Sequence, residues 1–269
     1  MIRIWQRFDV SLLKGKNATI LILMVMFFVC LISVDWSELS PHGGGRSSIW
    51  TILSGFTTLD LSREFMLIAL ESTWITVTYS FCAISIALVI GIIGGLLASG
   101  TIFESWLGKL AGVVGFRVVL ALIRSIHELI WAWFIAIVLG FTPISGVIAL
   151  AIPYGAIIAR VFADFLNDVP EAPLRSLRSS GAGPIKILIY GRIPLASRDM
   201  VSYGFYRFEC CVRSAAVLSF IGLPGIGYQI AVSLEDLNFG QVWTLLLFLV
   251  GLVVSVDYWG SRVRRNMME

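Results

Sequence analysis

Met66–Ser99 reads MLIALESTWITVTYSFCAISIALVIGIIGGLLAS, and Glu71 is the only charged residue in this run. A helix of about 20 predominantly apolar residues can cross a bilayer, so the run predicts a membrane-spanning helix. The composition of the chain agrees, because only 14% of its 269 residues are charged and 58% are hydrophobic. Soluble domains carry about 25% charged residues. These values exclude a soluble enzyme, a disordered chain and a disulfide-rich secreted domain, and they predict an all-α polytopic membrane protein.

Five more apolar runs predict five further spans, which makes six transmembrane helices in total. The predicted runs are Asn17–Val34, Ser125–Phe141, Ile144–Leu166, Asp199–Gly222 and Gln241–Tyr258. We expect residues 1–65 to form a basic N-terminal segment, an anchor helix and an outer loop. Residues 66–269 are expected to form a five-helix core with a cytoplasmic loop at residues 167–197.

The distribution of lysine and arginine predicts the orientation of the chain. With both termini in the cytoplasm, 16 of the 20 basic residues fall on the cytoplasmic side, and only Arg46 and Arg63 fall outside. This asymmetry follows the positive-inside rule and predicts a multi-pass protein of the cell inner membrane, in contact with membrane lipid. The other two, Arg207 and Arg213, lie inside the fifth span. The net charge of +3 is too small to indicate nucleic acid as a partner.

The cytoplasmic loop after the fourth span has the signals of a short helix. Asp168 can cap its N-terminus, and Gly181 suits its C-terminal end. Leu174 and Leu177 share one face of this helix, and two arginines share a neighbouring face. Such a helix, lying across the end of a bundle, can dock into a groove of a soluble partner, or it can be a surface connector.

This loop resembles the coupling motif of the permeases of binding-protein-dependent ABC importers. That motif has a glutamate-alanine start, a glycine six residues later and a hydrophobic-proline end thirteen residues after the glycine. Here the glycine is Gly181 and the end is Ile193–Pro194, whereas Arg175 occupies the glutamate slot and Glu171 lies four residues early. The resemblance implies that the loop contacts an ATP-binding subunit through Glu171, Leu174, Arg175, Leu177, Arg178, Gly181 and Pro194.

Further segments resemble the phosphonate/phosphite branch of these permeases, from about Glu71 to the C-terminus. The matching segments are residues 124–132, 146–150, 190–194, 202–209, 212–218, 222–227 and 256–259. The resemblance implies a type I ABC importer permease fold of the MetI-like kind, with residues 66–269 as the permease core. It implies two permease subunits around one path, expected as a homodimer.

The same resemblance implies the energy source and the solute. Two ATP-binding subunits and a periplasmic substrate-binding protein are the implied partners. The implied function is ATP-driven alternating access for phosphonate, phosphite or a related phosphorus oxyanion. No G-x-x-x-x-G-K-[ST] sequence occurs in the chain, so we expect ATP hydrolysis in a separate subunit, no enzymatic activity in this chain and no cofactor.

Three charged residues lie inside the fifth predicted span: Arg207, Glu209 and Arg213. Charged groups at membrane depth are costly and usually face a bundle interior or a water-filled path. Glu209 and Arg213 are four residues apart, so we expect them to pair along one helix face. The three residues either fix helix packing, line the path of an anion, or snorkel. For an anion path Arg213 is the first candidate, because an arginine fork matches the oxygens of a phosphorus oxyanion; Arg207 and Glu209 are weaker candidates.

A second polar group, Arg124, His127 and Glu128, is expected at the inner end of the third span. Arg124 and Glu128 are also four residues apart, which predicts a structural or gating cluster. No metal site is predicted, because no further ligand lies at helical spacing. Three alternatives remain open: a permease for another small solute such as an amino acid, a membrane-embedded enzyme that uses His127, Glu128 or Cys211, and a secondary carrier.

Small and hydroxyl side chains in the second span carry two further predictions. Gly91 and Gly95 form a small-xxx-small pair, which predicts close helix packing. Thr76, with its neighbours Thr73 and Thr78, is expected to bond back to its own helix rather than line a path.

Overall fold

The computed structural model describes residues 16–34, 36, 45–103 and 106–268. Within these residues the chain is helical and contains no strand, as the all-α prediction requires. The helices are α1 (Lys16–Ser33), α2 (Gly45–Ser54), α3 (Arg63–Ser99), α4 (Trp106–Ser125), α5 (Glu128–Leu139), α6 (Pro143–Asn167), α7 (Glu171–Ser179), α8 (Pro184–Ile187), α9 (Ile193–Leu218), α10 (Ile226–Glu235) and α11 (Phe239–Met268).

The packing contacts divide the chain between Ile52 and Leu53. In the first unit, α1 is an apolar helix whose side chains are almost all exposed. Residues 1–15, which hold most of the predicted basic N-terminal segment, lie outside the described residues, as do residues 35 and 37–44 of the predicted outer loop. In the second unit, residues 55–62 are tied to the start of α11, where Gln241 Nε2 donates to Asp60 Oδ2 at 3.0 Å.

Helices α3 and α6 form the centre of the second unit. Two thirds of the apolar part of α6 is buried. Gly91 and Gly95 lie directly against it, since a Cβ atom at Gly91 would overlap Ile158 and one at Gly95 would come within 2.8 Å of Phe162 Cβ. The close packing predicted for this glycine pair is therefore confirmed. Because α6 carries small residues on the same side, the two helix backbones approach each other closely.

Four helical segments of the described chain are long and apolar enough to cross a membrane. They are α3, α6, the continuous stretch Pro184–Glu235 and α11. The count is five if α4 and α5, which meet at an angle of 86°, are taken together as one span. The predicted run Ser125–Phe141 is not a single helix, because α4 ends at Ser125 and α5 has only 12 residues. The count of six spans stays a prediction, because α1 is shorter than these helices.

The break between α4 and α5 has a local cause. His127 takes an extended backbone conformation, and its Nδ1 accepts a hydrogen bond from the backbone N–H of Leu129 at 3.3 Å. This N-cap satisfies one of the amide groups that begin α5, so the sequence starts a new helix here without a proline or a glycine.

The glycine-rich segment Gly222–Gly227 separates α9 from α10. Gly222 has a φ of 102°, a conformation that favours glycine, and α10 begins at Ile226. Thr76 on α3 donates to the carbonyl of Ser72 at 2.9 Å, which confirms its predicted back-bonding. The same hydroxyl accepts from the Ile226 N–H at 3.0 Å. Thr76 therefore joins the start of α10 to α3.

Candidate functional site

The predicted cytoplasmic helix exists as α7, and its leucines attach it to the bundle. Leu174 is completely buried, and Gly191 lies so close that a Cβ atom there would come within 2.8 Å of Leu174 Cδ2. Leu177 contributes to the same packing. The predicted contact of Leu174 with an ATP-binding subunit is therefore corrected, because its side chain is enclosed by this chain's own residues.

Glu171 holds the two ends of this loop together. Its carboxylate accepts from Arg178 Nη1 at 3.0 Å and lies 3.9 Å from Arg192 Nη2. Arg192 also donates to the carbonyl of Leu166 at the end of α6. The loop is thus linked both to α6 and to the turn that leads into α9. Five of the seven predicted contact residues remain exposed for a partner, namely Glu171, Arg175, Arg178, Gly181 and Pro194.

Glu209 does not pair with Arg213, so that prediction was wrong. Its carboxylate instead accepts from Arg264 Nη1 of α11 at 2.5 Å. Only 6% of Glu209 is exposed, and Gly260 lies so close that any side chain there would overlap its Oε1. Glu209 therefore faces α11, and its ion-pair partner is Arg264 of α11 rather than Arg213, four residues further along α9. It holds α9 to α11 and lies outside the polar pocket described below.

Both arginines of α9 lie on its accessible side. Seven residues with spacings of three or four form this side: Tyr203, Tyr206, Arg207, Cys210, Arg213, Ser214 and Val217. Arg207 Nε donates to Tyr203 Oη at 2.6 Å, and its guanidinium lies over the rings of Tyr203 and Tyr206. Arg213 is exposed, with Nη2 3.9 Å from Cys210 Sγ. Arg207 is thus held by aromatic rings, whereas Arg213 reaches outward.

A polar pocket of about 180 Å³ lies where α5 begins beside α9. Its lining residues are His127, Glu128, Leu129, Arg213, Ser214 and Val217. The structure therefore joins two residue groups that the sequence analysis kept apart. We call this cavity the Arg213 pocket.

The location of His127 and Glu128 differs from the prediction. Glu128 accepts from Ser214, which is four residues from the C-terminal end of α9 and about 30 Å along the helix from Ile193. The pair is therefore far from the end of the bundle at which α7 packs, the end predicted to be the inner one. Arg124 does not line the Arg213 pocket. The helix break places it on α4, so the four-residue spacing to Glu128 no longer brings the two onto one face.

A directed chain of hydrogen bonds supports the Arg213 pocket from α6. Ser214 Oγ donates to Glu128 Oε1 at 2.8 Å, and Tyr154 Oη lies 2.9 Å from Ser214 Oγ. A serine hydroxyl has one hydrogen, so Tyr154 must donate to Ser214. Sequence reasoning missed Tyr154 and Ser214. The available signal was weak, because each is only a polar residue within an apolar run.

His127 presents a hydrogen-bond donor to the Arg213 pocket. Its Nδ1 accepts from Leu129 N–H, so the neutral imidazole carries its hydrogen on Nε2. That atom lies 3.8 Å from Glu128 Oε2, beyond hydrogen-bonding distance. The side chain is 62% exposed, which leaves Nε2 free to meet a ligand.

The chemistry of the Arg213 pocket is that of binding. Its ionisable groups are one guanidinium, one imidazole and one carboxylate. Cys211, a candidate nucleophile under the enzyme alternative, is fully buried and donates weakly to the Ser80 carbonyl instead of lining the pocket. Within the described ranges, no three His, Cys, Asp or Glu side chains cluster as metal ligands.

Comparison with known proteins places this architecture in a family. Residues 10–269 match the family model described as "Binding-protein-dependent transport system inner membrane component". The phosphite transport system permease protein PtxC of Stutzerimonas stutzeri is 29% identical over 56% of this chain and 54% of its own length. The chain thus spans about half of that relative. The putative phosphite transport system permease protein HtxC of the same organism is 26% identical over 97% of this chain and 90% of its own length.

The solved structures agree on the fold. A chain of the inward-facing MetNI methionine ABC transporter superposes with a TM-score of 0.68, at 22% identity, over 77% of this chain and 99% of that one. The predicted MetI-like permease fold is therefore confirmed. Since the family model matches almost the whole sequence, the chain belongs to the binding-protein-dependent transport system inner membrane components.

Proposed function

We propose that this chain is the permease subunit of an ABC importer that moves phosphite, phosphonate or a related phosphorus oxyanion into the cell. The observation that carries the proposal is the Arg213 pocket, in which a guanidinium and an imidazole N–H point to one cavity on the accessible side of α9. The phosphite transport names of the relatives agree with that chemistry.

The donors of the Arg213 pocket suit a tetrahedral oxyanion. A guanidinium can donate to two oxygens of such an anion at once. His127 Nε2 can donate to a third oxygen. Arg207 lies six residues before Arg213 on the same helix, about 9 Å away along the axis, where it provides a second positive charge towards the cytoplasmic end. An anion released from Arg213 would pass Arg207 next.

The partners follow from the family and from the exposed surfaces. We propose two ATP-binding subunits at α7, a periplasmic substrate-binding protein at the outer end, and a second copy of this chain facing α9. With residues 66–269 as the permease core, both termini would lie in the cytoplasm. Because Glu171 and Arg192 tie α7 to α6 and to the start of α9, a displacement of α7 by the ATP-binding subunits would move α9 and alternate access to its arginines.

The test is phosphite uptake into proteoliposomes that contain the full system with its binding protein. Arg213→Ala is expected to lower uptake at least about tenfold, the worth of a hydrogen bond to a charged group, with unchanged assembly. Arg213→Lys keeps the charge but loses the fork, so it should retain part of the uptake. Arg63→Ala, which removes an exposed arginine at the start of α3, is the matched control. Undiminished uptake by Arg213→Ala would refute the role of Arg213.

One observation favours a second candidate, import of a zwitterionic amino acid. The Arg213 pocket also holds the Glu128 carboxylate, so Arg213 could bind a carboxylate group while Glu128 binds an ammonium group. The same proteoliposomes decide between the two. An excess of unlabelled amino acids should leave phosphite uptake unchanged if the oxyanion is the solute. Uptake of labelled amino acid that Arg213→Ala abolishes, with no phosphite uptake, would favour the second candidate.

A further inference from the structure

We infer that Glu128 makes the Arg213 pocket selective for an oxyanion that still carries one proton, an inference that rests on the proposed function. A hydrogen phosphite or hydrogen phosphonate ion has such a proton on one oxygen. The fully deprotonated dianion does not. Glu128 would thus determine which ionisation state of the solute enters the pathway.

The hydrogen bonds around Glu128 have a defined direction. Tyr154 donates to Ser214, and Ser214 donates to Glu128 Oε1. The chain of donors therefore ends on the carboxylate, which acts as an acceptor. Its other oxygen, Oε2, lies 3.8 Å from His127 Nε2 and receives no hydrogen bond from it. Glu128 thus brings one unfilled acceptor to a pocket that otherwise offers donors.

A bound oxyanion must match this mixed set of groups. Its unprotonated oxygens can accept from Arg213 and from His127 Nε2. A protonated oxygen can donate to Glu128 Oε2, which completes the set. A dianion would place a charged oxygen against the carboxylate with no hydrogen between them. Glu128 is only 25% exposed, so water screens that repulsion weakly. The pocket is expected to accept the monoanion and to disfavour the dianion.

Other titratable groups surround Glu128 and must be separated from it in the test. They are His127 on its own helix, Tyr154 on α6, and Cys210, Cys211 and Arg213 on α9. Histidine is the side-chain type that ordinarily changes its charge near neutral pH, so His127 is the group to control for. Its contribution is removed by repeating the comparison in a His127→Gln background.

The experiment measures phosphite uptake by the complete system in proteoliposomes at a series of pH values, for the wild type and for Glu128→Gln. Both preparations receive the same binding protein at a saturating concentration. The pH dependence of the binding protein therefore cancels in the ratio of the wild-type uptake rate to the Glu128→Gln uptake rate. The glutamine amide can accept from Ser214 and donate to a deprotonated oxygen. Above the second ionisation of phosphite the monoanion fraction falls about tenfold per pH unit. The ratio of wild-type uptake to Glu128→Gln uptake should fall as the monoanion fraction falls, by about tenfold in total over the pH series.

One control, one replacement variant and two outcomes complete the test. Glu71→Gln removes an exposed carboxylate from α3 and should give a ratio that does not change with pH. If Glu128→Gln fails to assemble, Glu128→Met replaces it, because it removes the charge without an amide to satisfy. A ratio that is independent of pH, in a system whose phosphite uptake still requires Arg213, would overturn the inference and leave the proposed function standing. Absence of Arg213-dependent phosphite uptake in the wild type would instead refute the proposed function.

Discussion

The ion pair between Glu209 and Arg264 is the contact whose removal we expect to destabilise the bundle most clearly. It joins α9 to α11 through two residues that are 55 positions apart in the sequence. Arg264 Nη2 also donates to Ser261 Oγ at 3.2 Å, which orients the guanidinium. The perturbation is Arg264→Met, which keeps about the length of the aliphatic stem and leaves the Glu209 carboxylate enclosed without its cation.

The exposure of the two side chains sets the expected magnitude. Removing one partner of a fully buried pair costs about 3–5 kcal/mol, whereas an exposed pair contributes about 0–1 kcal/mol. Here Glu209 is 6% exposed and the Arg264 side chain is 20% exposed. We therefore expect Arg264→Met to lower the free energy of unfolding by about 3 kcal/mol, at the lower end of the buried range. Glu209→Gln with Arg264→Met removes both charges and should recover most of that loss.

The assay is equilibrium unfolding in mixed micelles, analysed as a double-mutant cycle over the two positions. Arg265→Met is the matched control, because Arg265 is exposed on the next position of the same helix. Its effect should stay within about 0.5 kcal/mol. A cycle in which the two substitutions are additive within about 0.5 kcal/mol would refute the pairing. Equal losses of unfolding free energy for Arg264→Met and Arg265→Met would also refute the pairing.

Two further predictions concern packing at α3. Gly91→Leu should reduce the amount of folded protein and cost about 1–3 kcal/mol or more of unfolding free energy, because its Cβ would overlap Ile158. Gly115→Ala is the control for thermal melting, since nothing lies within 4 Å of a Cβ atom there, and an equal effect would contradict the prediction. Thr76→Val removes the acceptor of the Ile226 N–H and should cost about 1–3 kcal/mol. Thr78→Val, which loses only its bond to the Trp74 carbonyl, should cost less in the same melts.

Charged residues show most clearly where sequence reasoning failed. The i,i+4 rule predicted Arg213 as the partner of Glu209, because the sequence shows only which residues are close together along the chain. The observed partner, Arg264, becomes available only when α11 packs beside α9 with Gly260 at the contact. The helix break at His127 was missed for a related reason. It carries no proline or glycine, and its cap is a histidine, so the apolar run around it looks like one span.

The sequence by itself determined the membrane class, the course of α3, the presence of α7 and the family. These depend on the length of apolar runs and on the spacing of residues along the chain, which are local properties. Tertiary structure alone decided that Leu174 is internal, that Glu209 belongs to a contact with α11, and that Arg213 shares a cavity with His127 and Glu128. Each of these results depends on which helices pack together. The energies of ion pairs and cavities are set by neighbours in space, and the neighbours of α9 include α3, α5, α6 and α11, which are distant in the sequence.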